Sequence, residues 1–252
     1  ERITLDDIKP SARRYPYIAF TPDREAGDQL LTVEGLSKEM DGRQLFKNIS
    51  FTLKKGDKVA FVGPNGAAKT MLFKILMGEE TPDDGTFKWG VTTSQTYLPA
   101  DNTSYFDGVK LNLVDWLRQY SKDPDETFVR GFLGRMLFSG EESQKRAEVL
   151  SGGERVRCML SRMMLSGANV LLFDEPTDHL DLESITALNN GLMSFSGTIL
   201  FASRDHEFTQ TVANRIIEIT PVGVVDRIST YDEYLSNETV KQQLAEKYKA
   251  AE

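Results

Sequence analysis

The chain of 252 residues contains a glycine-rich stretch, GPNGAAKT, that suits the binding of phosphate groups. Glycines let backbone N–H groups turn toward phosphate oxygens, and a helix that follows adds positive potential at its N-terminus. Lys69 is placed to reach the β- and γ-phosphates of a nucleotide, and the Thr70 hydroxyl is placed to bind Mg²⁺. The predicted nucleotide contacts around this stretch are Gly63, Pro64, Asn65, Gly66, Ala67, Ala68, Lys69, Thr70 and Met71.

Two acids, Asp174 and Glu175, end the apolar run VLLFDE. Because carboxylate oxygens suit a hard cation, Asp174 is predicted to hold Mg²⁺ together with Thr70, directly or through water. Glu175 is predicted to orient or polarise the attacking water, while Lys69 and the metal neutralise charge during phosphoryl transfer. An acid pair at a strand end is common on its own. Its place downstream of GPNGAAKT favours the catalytic interpretation, with Glu175 and Lys69 as the catalytic residues.

A second glycine-rich stretch, LSGGE, opens a predicted helix over residues 154–166. Ser151, Gly152, Gly153 and Glu154 are predicted to contact a γ-phosphate at this helix N-terminus. Considered without the neighbouring motifs, the same residues are typical of a helix cap, with Ser151 as the N-cap and Glu154 at the capping-box position. The two interpretations are compatible. The distance of about twenty residues from LSGGE to the acidic pair makes the combination specific.

The surrounding patterns predict the elements that position these motifs. KVAFVG is typical of a buried strand running into GPNGAAKT, and helical apolar spacing follows at Leu72, Ile75 and Leu76. The strands NVLLFDE, TILFAS and RIIEIT alternate with helices, which indicates a mostly parallel sheet. We therefore expect an α/β fold of the P-loop NTPase type with flanking helices, an N-terminal antiparallel β subdomain and a helical insertion.

The chain divides into three predicted regions. Residues 1–26 are interpreted as the end of an interdomain linker on the domain surface, because IKPSARRYPYIAF shows no clean period. Residues 27–235 are predicted to form a nucleotide-binding domain with a helical subdomain at about 111–153, and residues 236–252 a polar C-terminal helix. Since the sequence opens mid-pattern, it is interpreted as a piece of a longer protein.

Composition argues against several functional classes. The formal net charge of −8 disfavours nucleic-acid binding over the whole surface, although it is compatible with a local basic patch. We find neither an apolar run of membrane-spanning length nor a signal-peptide core in the sequence. A lone cysteine, Cys158, cannot form an internal disulfide, so a cytoplasmic location is expected.

GPNGAAKT, LSGGERVR and DEPTDHLDLES together resemble the nucleotide-binding domains of the ABC ATPase superfamily. The last motif, close to LSGGERVR, resembles the ABC-F subfamily in particular, and the resemblance covers roughly residues 29–235. It implies ATP and Mg²⁺ as cofactors. It also implies a composite site, in which ATP lies between Gly63–Thr70 of one domain and Leu150–Glu154 of another.

The resemblance further implies partners for this chain. ABC-F proteins carry two cassettes joined by a charged helical linker, so the chain is expected to be the second cassette. The partner cassette lies in the same full-length chain, or the domain pairs as a homodimer. The expected external partners are the ribosome and tRNA, since many ABC-F proteins act there without membrane domains.

Four positions depart from the family pattern. Ala68 stands where the P-loop usually has glycine, and Ala100 where a glutamine usually binds Mg²⁺ or water. Arg204 stands at the usual switch histidine and Asp178 at the usual ABC-F asparagine. Arginine is permanently charged and accepts no hydrogen bond, so it does not imitate a neutral histidine.

The adenine-stacking aromatic expected of the family aligns with Met40, which can still pack on a base. Arg204 is kept among the predicted nucleotide contacts. The departures leave two alternatives to an active ATPase open. One is a degenerate ATP-binding module with slow turnover, whose LSGGE completes the partner's site. The other is the ATPase subunit of an ABC transporter.

Overall fold

The computed structural model describes residues 14–252, so the predicted linker residues 1–13 lie outside the described part. Strands and helices alternate along most of this part. The strands are β1 (Gln29–Met40), β2 (Arg43–Lys54), β3 (Lys58–Val62), β4 (Asp84–Trp89), β5 (Gln95–Leu98), β6 (Val170–Asp174), β7 (Thr198–Ala202), β8 (Arg215–Thr220) and β9 (Gly223–Arg227). The α-helices are α1 (Gly66–Leu76), α2 (Leu113–Arg118), α3 (Glu126–Arg135), α4 (Gly152–Ser166), α5 (Leu182–Met193), α6 (His206–Val212), α7 (Tyr231–Ser236) and α8 (Glu238–Lys249).

The larger sheet has six strands in the order β5-β6-β7-β3-β8-β9. Its pairs are parallel except for β8 and β9, which confirms the predicted mostly parallel sheet. All residues of β6 and β7 are buried, as expected for strands covered on both faces. Because β3, β6 and β7 run in the same direction, the residues that follow them meet at one edge of the sheet.

Successive residues of a strand face opposite sides of the sheet, and the hydrophobic core is divided accordingly. Leu171 and Phe173 of β6 belong to a cluster shared with the helical insertion. Val170 and Leu172 belong to a second cluster, which contains α1 and the smaller sheet. That smaller sheet is antiparallel, with the strand order β2-β1-β4, and confirms the predicted antiparallel β subdomain.

The predicted helical insertion consists of α2, α3 and short 3-10 turns. Trp116 of α2 is buried, and its ring stacks on Phe106 with centroids 5.0 Å apart. Helix α4 begins at Gly152, two residues before the predicted start at 154, because Ser151 caps it. The insertion therefore delivers the LSGGE loop (Leu150–Glu154) to the start of a helix of 15 residues.

Residues 14–20 belong to no helix or strand, and from residue 15 to residue 20 exposed and buried side chains alternate. Pro16, Ile18 and Phe20 are buried, while Tyr15 and Tyr17 are exposed. The Phe20 ring lies edge-on to Phe173 of β6 at 6.0 Å. This period-two pattern was not recognised in the sequence. The segment packs on the core, while its assignment as the end of a linker stays a prediction.

The C-terminal helices are fastened to the larger sheet through one carboxylate. Tyr234 of α7 and Tyr248 of α8 donate hydrogen bonds to Glu218 of β8, at 2.8 and 2.9 Å. The predicted C-terminal helix thus begins at Glu238 and contacts the domain. Across residues 14–252, no helix has both the length and the apolar character needed to cross a membrane.

Candidate functional site

The P-loop (Gly63–Thr70) joins the end of β3 to α1. Gly63 adopts a φ of +130°, which favours glycine. A Cβ at Gly63 would lie 2.9 Å from the Ile219 carbonyl oxygen of the neighbouring strand. Asn65 caps α1, because its side chain accepts a hydrogen bond from the Ala68 amide at 3.2 Å. The loop is therefore fixed by β8 on one side and by the helix cap on the other.

Ala68, the first departure from the family pattern, lies inside the first turn of α1. Its backbone is helical rather than left-handed, so the residue does not require glycine for φ. Only 1% of Ala68 is exposed, and it belongs to the core cluster that contains α1. The methyl group therefore packs inside the protein without backbone strain.

The predicted metal ligands lie in direct contact. The Thr70 hydroxyl donates a hydrogen bond of 2.5 Å to the Asp174 carboxylate at the end of β6. Burial raises the pKa of Asp174, whereas the Thr70 hydrogen bond and the positive charge of Lys69 oppose that rise. Lys69 donates to the Gly63 carbonyl oxygen at 3.1 Å. A hydroxyl and a carboxylate side by side form a donor set that suits Mg²⁺.

Glu175 is held in an unusual backbone conformation at the same edge of the sheet. Its φ is +51°, which is uncommon for a residue other than glycine. Such strained backbone conformations are enriched at functional sites. Its amide donates to the Ala202 carbonyl oxygen at 2.8 Å, and its carboxylate accepts from the Arg204 amide at 3.0 Å. Strands β6 and β7 thus fix both the backbone and the side chain of Glu175.

Two of the departures, Arg204 and Asp178, contact each other. A terminal nitrogen of the Arg204 guanidinium lies 2.8 Å from the Asp178 carboxylate, and its Nε lies 3.7 Å from that of Glu175. The negative charge of Asp178 raises the pKa of Arg204. His206, two residues further on, turns to α7 instead, where its Nε2 lies 2.7 Å from Asp232.

Ala100 borders a cavity of about 350 Å³ that also touches Glu175, Asp178 and Gly152. A glutamine at this position would offer a polar side chain to that cavity, and alanine offers none. Gln95, on the preceding strand, donates instead to the Thr93 hydroxyl at 2.7 Å. The part of the site usually completed by glutamine therefore lacks a polar side chain at position 100.

The LSGGE loop forms the helix cap that its sequence predicts. Ser151 accepts from the Glu154 amide at 3.2 Å, and Glu154 accepts from the Ser151 amide at 3.1 Å. Lys145 adds an ion pair to Glu154 at 3.0 Å. Burial opposes ionisation of Glu154, but the bonds from Ser151 and Lys145 lower its pKa overall. Ser151 and Gly152 remain exposed at the positive end of α4.

His179, which sequence reasoning did not assign to the site, explains why this loop contains two glycines. A Cβ at Gly153 would lie 2.7 Å from the His179 carbonyl oxygen, and one at Gly152 would lie 3.1 Å from its ring. His179 itself adopts a φ of +67°. Within residues 14–252, no hydrogen bond or ion pair joins residues 151–154 to the P-loop. The LSGGE loop is thus packed against the segment that follows Glu175.

Replacement of Gly153 by alanine is expected to lower the free energy of unfolding by about 2 kcal/mol, since the new methyl overpacks against backbone. Urea unfolding measures this change. Gly131→Ala is the matched control, because Gly131 is helical and has open space around its Cβ position. It should leave stability unchanged or raise it by up to about 1 kcal/mol. Equal stabilities of the two variants would contradict the packing role of Gly153.

The other predicted nucleotide contacts differ in exposure. Pro64, Asn65, Gly66 and Ala67 are exposed at the start of α1. Met71 is 7% exposed and belongs to the core cluster around α1. Met40 ends β1 and is 40% exposed. The structure therefore gathers the P-loop, Asp174, Glu175 and Arg204 at one sheet edge, and it leaves Met40 on a strand of the smaller sheet.

Comparison with known protein families matches residues 46–178 to the ABC transporter family. The chain is 66% identical over 249 residues to the uncharacterized ABC transporter ATP-binding protein YkpA of Bacillus subtilis (strain 168). That alignment covers 98% of this chain and 46% of that protein. The chain is also 35% identical over 224 residues to the energy-dependent translational throttle protein EttA of Escherichia coli (strain K12), covering 84% of this chain and 40% of that protein. It thus spans less than half the length of these curated relatives.

Solved structures share the fold. A metal-chelate type ABC transporter in an inward-facing conformation matches with a TM-score of 0.67 and 21% identity, covering 86% of this chain and 90% of that chain. CbiO1 from Clostridium perfringens, part of the ABC transporter complex cbiONQ, matches with a TM-score of 0.62 and 19% identity. That second match covers 86% of this chain and 94% of the other. At these identities the matches establish the fold alone.

Proposed function

This chain belongs to the ABC transporter family of ATP-binding domains, and from this membership we propose that it binds and hydrolyses Mg·ATP. The observation that carries the proposal is the contact of 2.5 Å between Thr70 and Asp174, with Glu175 as the next residue. This contact joins the end of the P-loop to the acidic end of β6. It places a hard-cation donor set beside a carboxylate that can act on water.

Each side chain has a distinct proposed role. Lys69 neutralises the β- and γ-phosphates, and the exposed start of α1 supplies N–H donors to them. Thr70 and Asp174 would hold Mg²⁺, which would offset the phosphate charge. Glu175 accepts a hydrogen bond from the attacking water and polarises it. The fixed backbone at Glu175 limits where that carboxylate can lie.

We place the LSGGE loop at the nucleotide of a partner cassette. Ser151 and Gly152 are exposed at the N-terminus of a helix of 15 residues, which suits contact with a γ-phosphate. The packing of Gly152 and Gly153 on His179 ties this loop to the chain's own catalytic segment. ATP binding would then close the pair of cassettes, and hydrolysis would open it.

The parent protein is proposed to be of the ABC-F type and to act in the cytoplasm on the ribosome, with tRNA nearby. Support comes from the motif DEPTDHLDLES and from the 35% identity to EttA, whose name describes a translational throttle. The alignment accounts for 40% of that relative, so a second cassette fits in the rest of a protein of similar length.

A slow-turnover binding module is the second candidate function. Ala100 and Arg204 favour it, because alanine has no polar side chain and arginine cannot accept a hydrogen bond as a neutral histidine does. The two candidates predict the same ATP binding and differ in the hydrolysis rate at this site. Turnover therefore separates them.

Lys69→Ala is expected to weaken ATP binding about tenfold or more, because a charge-assisted hydrogen bond to phosphate is lost. Titration of the protein with a fluorescent ATP analogue in the presence of Mg²⁺ measures the dissociation constant. Lys74→Ala, four residues beyond the P-loop on α1, is the matched control and should bind as the wild type does. Unchanged affinity in Lys69→Ala would argue against nucleotide binding at the P-loop.

A further inference from the structure

Asp178 and Arg204 are departures from the family pattern at separate places in the sequence, yet they form one ion pair. They follow adjacent parallel strands, since β6 pairs with β7 and Asp174 lies opposite Ala202. The pair has a distance of 2.8 Å between nitrogen and oxygen. An arginine and an aspartate thus occupy two positions where the ABC-F pattern has a histidine and an asparagine.

The Arg204 guanidinium is shared unequally between two carboxylates. It approaches Asp178 at 2.8 Å and Glu175 at 3.7 Å. A guanidinium readily forms two parallel hydrogen bonds with a single carboxylate. If Arg204 closed on Glu175 in this way, it would occupy the oxygens that have to accept a proton or a hydrogen bond from water. Asp178 offers the guanidinium a nearer partner.

The backbone amide of Arg204 contributes separately to the site. It donates to Glu175 at 3.0 Å, a contact that does not depend on the arginine side chain. The backbone amide of Arg204 therefore orients Glu175, while the guanidinium of Arg204 is directed to Asp178. A neutral residue at position 204 could keep the hydrogen bond from its backbone amide to Glu175. It would not need Asp178 as a partner for its side chain.

We propose that Asp178 is a positioning residue of this ATPase site, which holds the Arg204 guanidinium away from Glu175 and leaves that carboxylate available to water. The inference rests on the proposed hydrolysis by Glu175. It assigns Asp178 and Arg204 to one unit whose members compensate each other. Substitution of one member alone is then harmful, and substitution of both is not.

Steady-state ATP hydrolysis by the full-length protein tests this unit in four forms: wild type, Asp178→Asn, Arg204→His and the double variant. Asp178→Asn is expected to lower kcat about tenfold and to leave KM for ATP within about twofold, because Arg204 closes on Glu175. Arg204→His should also lower kcat, since Asp178 is then left unpaired beside Glu175. The double variant should recover to within about threefold of the wild type.

Two controls separate positioning from other effects. Glu207→Gln removes an exposed acid on the first turn of α6 and should leave kcat unchanged. Melting temperatures of all forms identify any variant whose folding has changed. In the variants that fold, the ratio of the four kcat values gives the coupling between Asp178 and Arg204.

Several results would overturn the inference. A double variant whose loss equals the product of the two single losses would show that the residues act independently. If KM for ATP rises strongly in Arg204→His and stays equally high in the double variant, Arg204 contacts the phosphates directly instead. If the wild type hydrolyses ATP no faster than Glu175→Gln does, the proposed ATPase function fails together with the inference. If the wild type is faster than Glu175→Gln but the double variant does not recover, only the inference about Asp178 and Arg204 fails.

Discussion

Glu175→Gln is expected to reduce ATP turnover by about a hundredfold or more, while ATP binding stays within about threefold of the wild type. Glutamine keeps the shape of the side chain and can still accept the hydrogen bond from the Arg204 amide. It cannot accept a proton from water, and general-base assistance is typically worth at least about a hundredfold. The change should therefore remove hydrolysis selectively and retain the bound state.

Phosphate release under single-turnover and steady-state conditions measures the effect in the full-length protein. Glu207→Gln, an exposed acid on the first turn of α6, serves as a matched substitution. Because the Glu175 variant should retain ATP, it should also remain with ribosomes during sedimentation when ATP is present. Equal turnover in Glu175→Gln and the wild type would contradict catalysis by Glu175. Sedimentation that does not depend on ATP would contradict the proposed role on the ribosome.

Gly63→Ala is expected to weaken ATP binding about a hundredfold. The backbone at Gly63 has a φ of +130°, and an added Cβ would lie 2.9 Å from a carbonyl oxygen of β8. Strain of about 3 kcal/mol against this loop conformation corresponds to about two powers of ten in affinity. The fluorescent analogue reports the affinity, and urea unfolding reports how much of the strain lowers stability.

Ala68→Gly is the informative comparison, because it restores the residue that the family pattern expects. Ala68 is helical and buried, so glycine should cost about 1 kcal/mol of stability and should not improve ATP affinity or turnover. A marked gain of activity in Ala68→Gly would show that the methyl group obstructs the phosphates. In that case, the Ala68 methyl group would affect phosphate binding in addition to packing in the core.

The order of elements and the ends of the strands that carry chemistry could be predicted from the amino-acid sequence. A buried strand before the P-loop and another before Asp174 follow from local apolar runs, and parallel direction follows from their alternation with helices. The Ser151 cap was also predictable, because it depends on residues only three positions apart. These features are local, so the amino-acid pattern is sufficient to predict them.

Other features depend on residues that are distant along the chain. The pairing of Asp178 with Arg204 requires the register of β6 against β7, and the glycines of the LSGGE loop require the position of His179. The burial of Phe20 requires the face presented by Phe173.

These contacts are set by tertiary packing, because they depend on which surfaces meet and at what distance. Ala68 stands where the family pattern has glycine, and the residue type alone does not tell whether this position needs a glycine-like backbone. The helical conformation and the core packing of its methyl group decided the backbone question. The sequence therefore identified the groups able to perform ATP chemistry, whereas the packing of the sheet edge determined how their charges are paired.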